Sequence, residues 1–260
     1  MNKQPIRCFE GTTKPHEPFW TVRNAVETGG EPEMELYGYI SEFSWFEDDV
    51  TPKLFKDALY NLGNGGPITV RMNSGGGDVI AASMIRSIMS DYPGHITVRI
   101  DGLAASAAVI VAIAGKTVKI MDTAYMMIHD PAVALFMAVL DINTLGGLLD
   151  SLKSVKTGIM ETYQAKTGLS IDRLNKMMVS ETWMSASEAV NYGFADEVIS
   201  GGQQASNRLR NAAFINALQN YEHVPAALAA VARDGDIPRT VINPAVEILR
   251  AEVRLYAKGA

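Results

Sequence analysis

Ile68-Thr69-Val70-Arg71-Met72-Asn73-Ser74-Gly75-Gly76-Gly77-Asp78-Val79 is the stretch on which the fold turns. Ile68 to Met72 is mostly apolar or β-branched and reads as a strand, and Asn73 to Asp78 reads as a glycine loop that ends it. Beyond the loop, Val79, Ala82, Ser83, Ile85 and Ile88 recur at helical spacing up to Ser90. The same strand-to-helix alternation continues on both sides. Glu35 to Ile40 reads as a strand, and Thr51-Pro52 opens a helix with an N-cap and a first-turn proline that closes near Gly63. His95 to Ile100 is a strand again, a buried helix starts at Ser106, and Thr117–Ile120 and Ala124–Ile128 are short strands. The alternation predicts an α/β fold, a layered sheet with helical crossovers.

Farther along, Asp141 to Thr167 reads as a long amphipathic helix whose apolar stripe is Leu145, Leu148, Leu149, Leu152, Val155, Ile159 and Met160. Ser185-Ala186-Ser187-Glu188 has capping-box spacing and starts a short helix that stops at Gly193; Phe194 to Ile199 returns to a strand. Gly201-Gly202-Gln203-Gln204-Ala205-Ser206 has linker composition, and an Ala-rich helical tail follows. Residues 1–22, with Pro5, Pro15 and Pro18, a glycine and little periodicity, are expected to form an arm. The organisation expected is therefore arm 1–22, one α/β domain 23–200, and linker with helical tail 201–260. No internal repeat is evident.

The bulk numbers narrow the classes. A chain of 260 residues, 47% of them apolar, can bury a sizeable core. Its formal charge of −6, with basic residues scattered, argues against nucleic acid or an anionic membrane as the main partner. Cys8 is the single cysteine, so no intrachain disulfide can form and a reducing cytoplasm is expected. The amino terminus has no apolar signal core. The longest apolar run, Leu103 to Ala114, is shorter than the roughly 20 residues a bilayer requires, so no membrane span is expected.

Chemistry concentrates in Gly102-Leu103-Ala104-Ala105-Ser106-Ala107-Ala108 and in Met126-Met127-Ile128-His129-Asp130-Pro131. Serine is a weak nucleophile and needs a base within hydrogen-bond reach, which His129 could supply from the end of a neighbouring strand. A serine at a helix start also lies beside unpaired backbone N–H groups that can receive an oxyanion. The N–H of Ala107 is one natural donor, and Gly77, whose missing side chain lets backbone approach a substrate carbonyl, is the second. Each motif also has a plainer explanation. A small-residue run is usually tight packing, a glycine triplet a tight turn, and His129 a satisfied strand-end histidine. A phosphate cradle is a third explanation for the glycines, but the Gly-Lys-Ser/Thr ending and the Gly-x-Gly-x-x-Gly fingerprint are both missing. What favours chemistry is the conjunction of glycine loop, serine and histidine in that order.

From about Glu35 to Ser200 the chain resembles the Clp protease proteolytic subunit family. Asn73-Ser74-Gly75-Gly76-Gly77 is similar to that family's Asn-Ser-Pro-Gly-Gly loop, Gly102 to Ser106 to its nucleophile turn, and Met127-Ile128-His129 to its histidine strand. Ser185 to Gly193 is similar to the helix that follows its acidic member. The Trp20 region, Asp49-Val50-Thr51-Pro52 and Glu181-Thr182-Trp183 resemble the phage head maturation (prohead) protease branch. The resemblance implies a ClpP/crotonase-like spiral of ββα units with a protruding long helix. It implies Ser106 as nucleophile, His129 as general base and Gly77 and Ala107 as oxyanion donors, with a peptide paired beside Gly75 and Gly76. No cofactor is implied. The expected activity is ATP-independent serine endopeptidase, acting in the host cytoplasm within the assembling procapsid. Its expected partners are a scaffold or capsid precursor as polypeptide substrate, its own tail as a docking or self-cleaved segment, and copies of itself in a ring joined through the helix from Asp141.

The third triad member departs from the family pattern. Where the Clp pattern has aspartate before an aromatic and the Ser-Ala helix start, this chain has Glu181, which is the assigned residue. Asp130 is nearer in sequence, but adjacent strand residues face opposite ways. Asp172 reads as a first-turn helix acid. Other features carry less. Cys8 has the composition of an inert thiol in the arm, and His16, His95 and His223 are dispersed with no metal-ligand spacing, so no metal is expected. Met126-Met127 and Met177-Met178 read as core, as do Trp45, Phe46 and Tyr39, with an exposed patch as the alternative for those three. Two other functions share the sequence features: a crotonase-type acyl-CoA enzyme, which uses backbone oxyanion donors without a Ser-His pair, and an inert structural head component with a vestigial site.

Overall fold

The parallel sheet forms because β-branched and apolar runs alternate with helices that each bury one face on it. The computed structural model of the chain describes residues 22–23, 31–42, 51–133, 139–200, 218, 221–226 and 228–229. The elements are β1 (Val22–Arg23), β2 (Glu33–Ile40), α1 (Pro52–Gly63), β3 (Ile68–Gly77), α2 (Val79–Asp91), β4 (Ile96–Ala105) and α3 (Ala107–Ala112). They continue as β5 (Thr117–Met121), β6 (Tyr125–Ile128), α4 (Ile142–Thr167), α5 (Ile171–Val179), β7 (Thr182–Ser185), α6 (Ala186–Asn191) and β8 (Glu197–Ile199). The sheet order is β1-β2-β3-β4-β5-β8; β1 runs antiparallel and the remaining pairs along this path are parallel.

The pairing of β4 decides where the chemistry sits. Its first half, Thr97 to Ile100, pairs with β5, while Leu103 to Ala105 pairs in parallel with Tyr125 to Met127 of β6. β6 in turn pairs antiparallel with β7. The strands that end at Ala105 and Ile128 therefore lie side by side and point the same way, so Ser106 and His129 leave the sheet together.

The core lies between the sheet and the helices. Strand residues such as Val70, Met72, Val98 and Ile100 pack against Phe55 and Leu59 of α1, Ala82 and Ile85 of α2 and the whole of α3. Met126, Met127, Met177 and Met178 are buried, as expected of core methionines, whereas Tyr39 is exposed and corrects the expectation of burial. Trp45 and Phe46 lie outside the described residues, as do Cys8, His16, the rest of the arm before Val22 and the linker from Gly201. The opposite face of the central strands holds an ion network. Asp101 accepts from Tyr37 Oη at 2.5 Å and Arg71 Nε at 2.7 Å, and its second oxygen lies 2.9 Å from Arg99 Nε.

Element bounds differ from the sequence expectation in several places, and β4 runs on past the expected Ile100 to Ala105. Asn73 to Gly77 is not a loop but the continuation of β3: Gly76 and Gly77 pair with Tyr39 and Ile40, and Ser74 pairs with Ala104 across a register shift. After the shift the strand is continued by Gly76 and Gly77 at φ +100° and +144°, values that residues with a side chain rarely adopt. β7 forms where the pattern predicts no element, whereas α5 has Asp172 in its first turn as expected, is capped by Ser170 and buries Leu174, Met177 and Met178. β8 is shorter than Phe194–Ile199, because Phe194 and Ala195 turn back to donate to the Ala189 carbonyl. Within the tail, Leu218, Ala226, Leu228 and Ala229 are helical but Tyr221 to Pro225 are not.

The long helix and the capping box form as the sequence predicts. Asp141 accepts from the N–H groups of Asn143 and Thr144, and Gly168 at φ +72° ends α4. The stripe of α4 divides in two: Ile159 and Met160 join the core, while Leu145 and Leu149 are 50% and 54% exposed. α6 starts at Ser185 with both capping-box bonds made. No helix among the described residues is long and apolar enough to cross a membrane.

Candidate active site

Ser106 follows directly on β4 and precedes α3, with φ +57° and ψ −125°. Outside glycine that conformation costs on the order of 1–3 kcal/mol and persists only where the surroundings enforce it. They do so here: the Ser106 N–H donates to the Met127 carbonyl of β6 at 2.8 Å, and its carbonyl accepts from Val109 at 3.0 Å. Serine at such a position ordinarily caps its own helix. Ser106 makes no side-chain cap, and its Oγ lies 2.7 Å from His129 Nε2 instead. Two residues separated by 23 positions are joined because β4 and β6 are neighbours.

The glycine strand makes room for this turn. A methyl group on Gly76 would stand 2.7 Å from the Ala105 carbonyl, 2.8 Å from Ser106 Cβ and 3.1 Å from the Ala107 nitrogen. Gly76 is thus the residue whose bare backbone lets Ser106 and Ala107 approach β3. Gly77 backs onto β2, where a methyl group would meet the Ile40 carbonyl at 2.0 Å. Ser74 stitches the segment, donating to the Gly38 carbonyl at 2.6 Å and accepting from the Gly76 N–H at 3.2 Å. Gly75 offers its carbonyl to the hydroxyl of Tyr221.

Burial holds the His129 imidazole below its ordinary pKa of 6.5, against the opposing charges of Glu181 and Asp130. A neutral imidazole at pH 7 can accept the Ser106 proton. Glu181 is close enough to act on His129 electrostatically, yet among the described residues no hydrogen bond joins the two. Its carboxylate accepts from the Trp183 indole at 3.1 Å, the Glu222 N–H at 3.1 Å and the His223 N–H at 2.8 Å. Burial resists the charge on Glu181, but the His223 N–H, the Trp183 indole and the Glu222 N–H outweigh it and leave the carboxyl below its usual range. Like Ser106, Glu181 has a positive φ, +46°. Asp130 points to α4, 2.8 Å from Lys156 Nζ, and Asp172 sits in the first turn of α5. Neither contact involves His129.

Tyr221 is the residue at this site that the sequence did not disclose. Its ring meets His129 edge-on at 5.4 Å and Trp183 at 5.8 Å. Burial pushes its phenol up, and the Ser106 hydroxyl beside it pulls the other way. Among the described residues no cluster of His, Cys, Asp or Glu could hold a metal ion.

A family model described as Clp protease matches residues 46–202. The chain belongs to the Clp protease family. The match takes in β3, the Ser106 turn, His129 and Glu181, and ends before Tyr221. Among curated relatives, the ATP-dependent Clp protease proteolytic subunit 2 of Thermobifida fusca is 32% identical over 134 residues, covering 51% of this chain and 64% of the relative. The subunit 2 of Nocardia farcinica is 30% identical over 165 residues, 62% of this chain and 79% of the relative. A ClpP1 point mutant from Listeria monocytogenes shares the fold with a TM-score of 0.56 at 22% identity, covering 66% of this chain and 94% of that structure. The Clp-like fold expected from the resemblance is thus present.

Proposed function

We propose that this Clp-family chain is a serine endopeptidase in which Ser106 is the nucleophile and His129 the general base. The observation that carries the reading is the 2.7 Å contact between Ser106 Oγ and His129 Nε2, at a serine held in a strained turn and released from capping. An extended polypeptide pairs beside Gly75 and Gly76 and brings its scissile carbonyl over Ser106. Ser106 Oγ attacks the carbonyl carbon as its proton passes to His129 Nε2, and the N–H groups of Gly77 and Ala107 receive the oxyanion. His129 returns the proton to the leaving amine; water then hydrolyses the acyl-enzyme by the same steps. Glu181 is the acidic member that stabilises the imidazolium. No step uses a nucleotide.

The substrate we assign is a scaffold or capsid precursor of an assembling phage head in the host cytoplasm, from the resemblance of the Asp49 to Pro52 and Glu181 to Trp183 segments to prohead proteases. Copies of the chain would form a ring joined through α4, whose exposed Leu145 and Leu149 give it an apolar face. Ser106→Ala, purified with its scaffold, should leave both chains uncut and lower kcat by at least about a thousandfold. Cleavage that continues in that variant, or that stops without added ATP in the wild type, contradicts the proposal.

A further inference from the structure

The family match ends at residue 202, yet a segment well beyond it lies across the site. Leu218 and Leu228 are buried in a small apolar cluster with Leu103, Ala105 and Met127, the strand residues that flank Ser106. Tyr125, Trp183, Tyr221 and Val224 pack around that cluster. Polar contacts fix the segment on either side of the Ser106–His129 pair. On one side the Tyr221 hydroxyl donates to the Gly75 carbonyl. On the other, the N–H groups of Glu222 and His223 donate to the Glu181 carboxylate.

We propose that the segment carrying Leu218, Tyr221 to Ala226 and Leu228 occupies the place of a substrate peptide and keeps Ser106 latent, so that a polypeptide substrate must displace it before it can be cut. The inference rests on the reading of Ser106 as nucleophile. The Gly75 carbonyl is an acceptor on the strand beside which a substrate would pair, and the occupant fills it with a phenol. The group next to Ser106 is therefore an aromatic hydroxyl with no electrophilic carbon. A phenol cannot be attacked by Ser106 as a scissile carbonyl can, which makes the segment a plug and not a substrate in this arrangement. The same docking engages Glu181 through backbone N–H groups, away from His129. Glu181 thus has a second role as the receptor for the segment's backbone.

The test is the rate at which a fluorophosphonate labels Ser106 in the full chain, followed by intact mass, with hydrogen exchange read at the Glu222 and His223 amides. Tyr221→Ala should label at least tenfold faster than wild type, Tyr221→Phe should fall between the two, and both amides should be protected in wild type but not in Tyr221→Ala. Equal labelling of wild type and Tyr221→Ala, or unprotected amides in wild type, overturns the plug and leaves the nucleophile assignment standing. Failure of Ser106 to label in every variant overturns the nucleophile assignment and latency with it, while amide protection still reports whether the segment docks.

Discussion

At the scale of single residues, the site depends on a serine whose backbone is forced and a histidine whose charge is suppressed. His129 must be neutral to act as a base, and burial lowers its pKa below 6.5. Protonation removes the base, so kcat/KM should rise with pH through a midpoint below 6.5 and level off above it. A midpoint above 6.5 in a pH–rate profile would contradict the assignment of the limb to His129. Gly76→Ala puts a methyl group 2.7 Å from the Ala105 carbonyl at a residue with φ +100°. The left-handed backbone costs roughly 1–2 kcal/mol and the overpacking about 1–3 kcal/mol more. Thermal denaturation should show a lowered Tm, and Ser106 should label more slowly; an unchanged Tm with normal labelling would show that β3 has slack here. Ser106 and His129 were legible in the sequence because a lone hydroxyl among alanines and a histidine at a strand end are local patterns. Tyr221 was not, since nothing in Tyr221-Glu222-His223-Val224 has a period or motif; its partners, Gly75 and His129, are remote in the chain.

Among the elements, register does most of the positioning. Pairing of Leu103–Ala105 with Tyr125–Met127 brings two strand ends together; β6 could be read from its own residues, but the reading of β4 stops at Ile100, because Gly102 and the alanines before Ser106 carry little strand signal. Their adjacency could not be read, because parallel pairing leaves no mark in the sequence of either partner. The extension of β3 through three glycines was missed for a related reason: glycine signals a turn unless neighbouring strands offer it hydrogen bonds. α4 shows the converse, a helix fully legible from its stripe although only part of the stripe is buried in the chain. Leu145 and Leu149 are half exposed, so Leu145→Asp with Leu149→Asp should change monomer stability by under about 1 kcal/mol while dissociating the assembly. Light scattering and denaturant titration separate these effects, and an unchanged assembly mass would remove α4 from the proposed ring contact.

For the molecule as a whole, a Clp-family sheet presents a serine–histidine pair, and a segment from beyond the family match covers it. Leu218 and Leu228 are each nearly fully buried, worth on the order of 1.5–3 kcal/mol apiece in transfer from water, so docking can compete with a substrate without being irreversible. The fold class, the Ser-His pair and the long helix could be argued from sequence, whereas the cover could not. The most direct measurement of the central claim is intact mass of the full chain after exposure to a fluorophosphonate. One adduct should appear on the wild type and on Tyr221→Ala, mapped to Ser106, and none on Ser106→Ala or His129→Ala. An adduct that persists in Ser106→Ala, or that never forms even in Tyr221→Ala, would contradict the account.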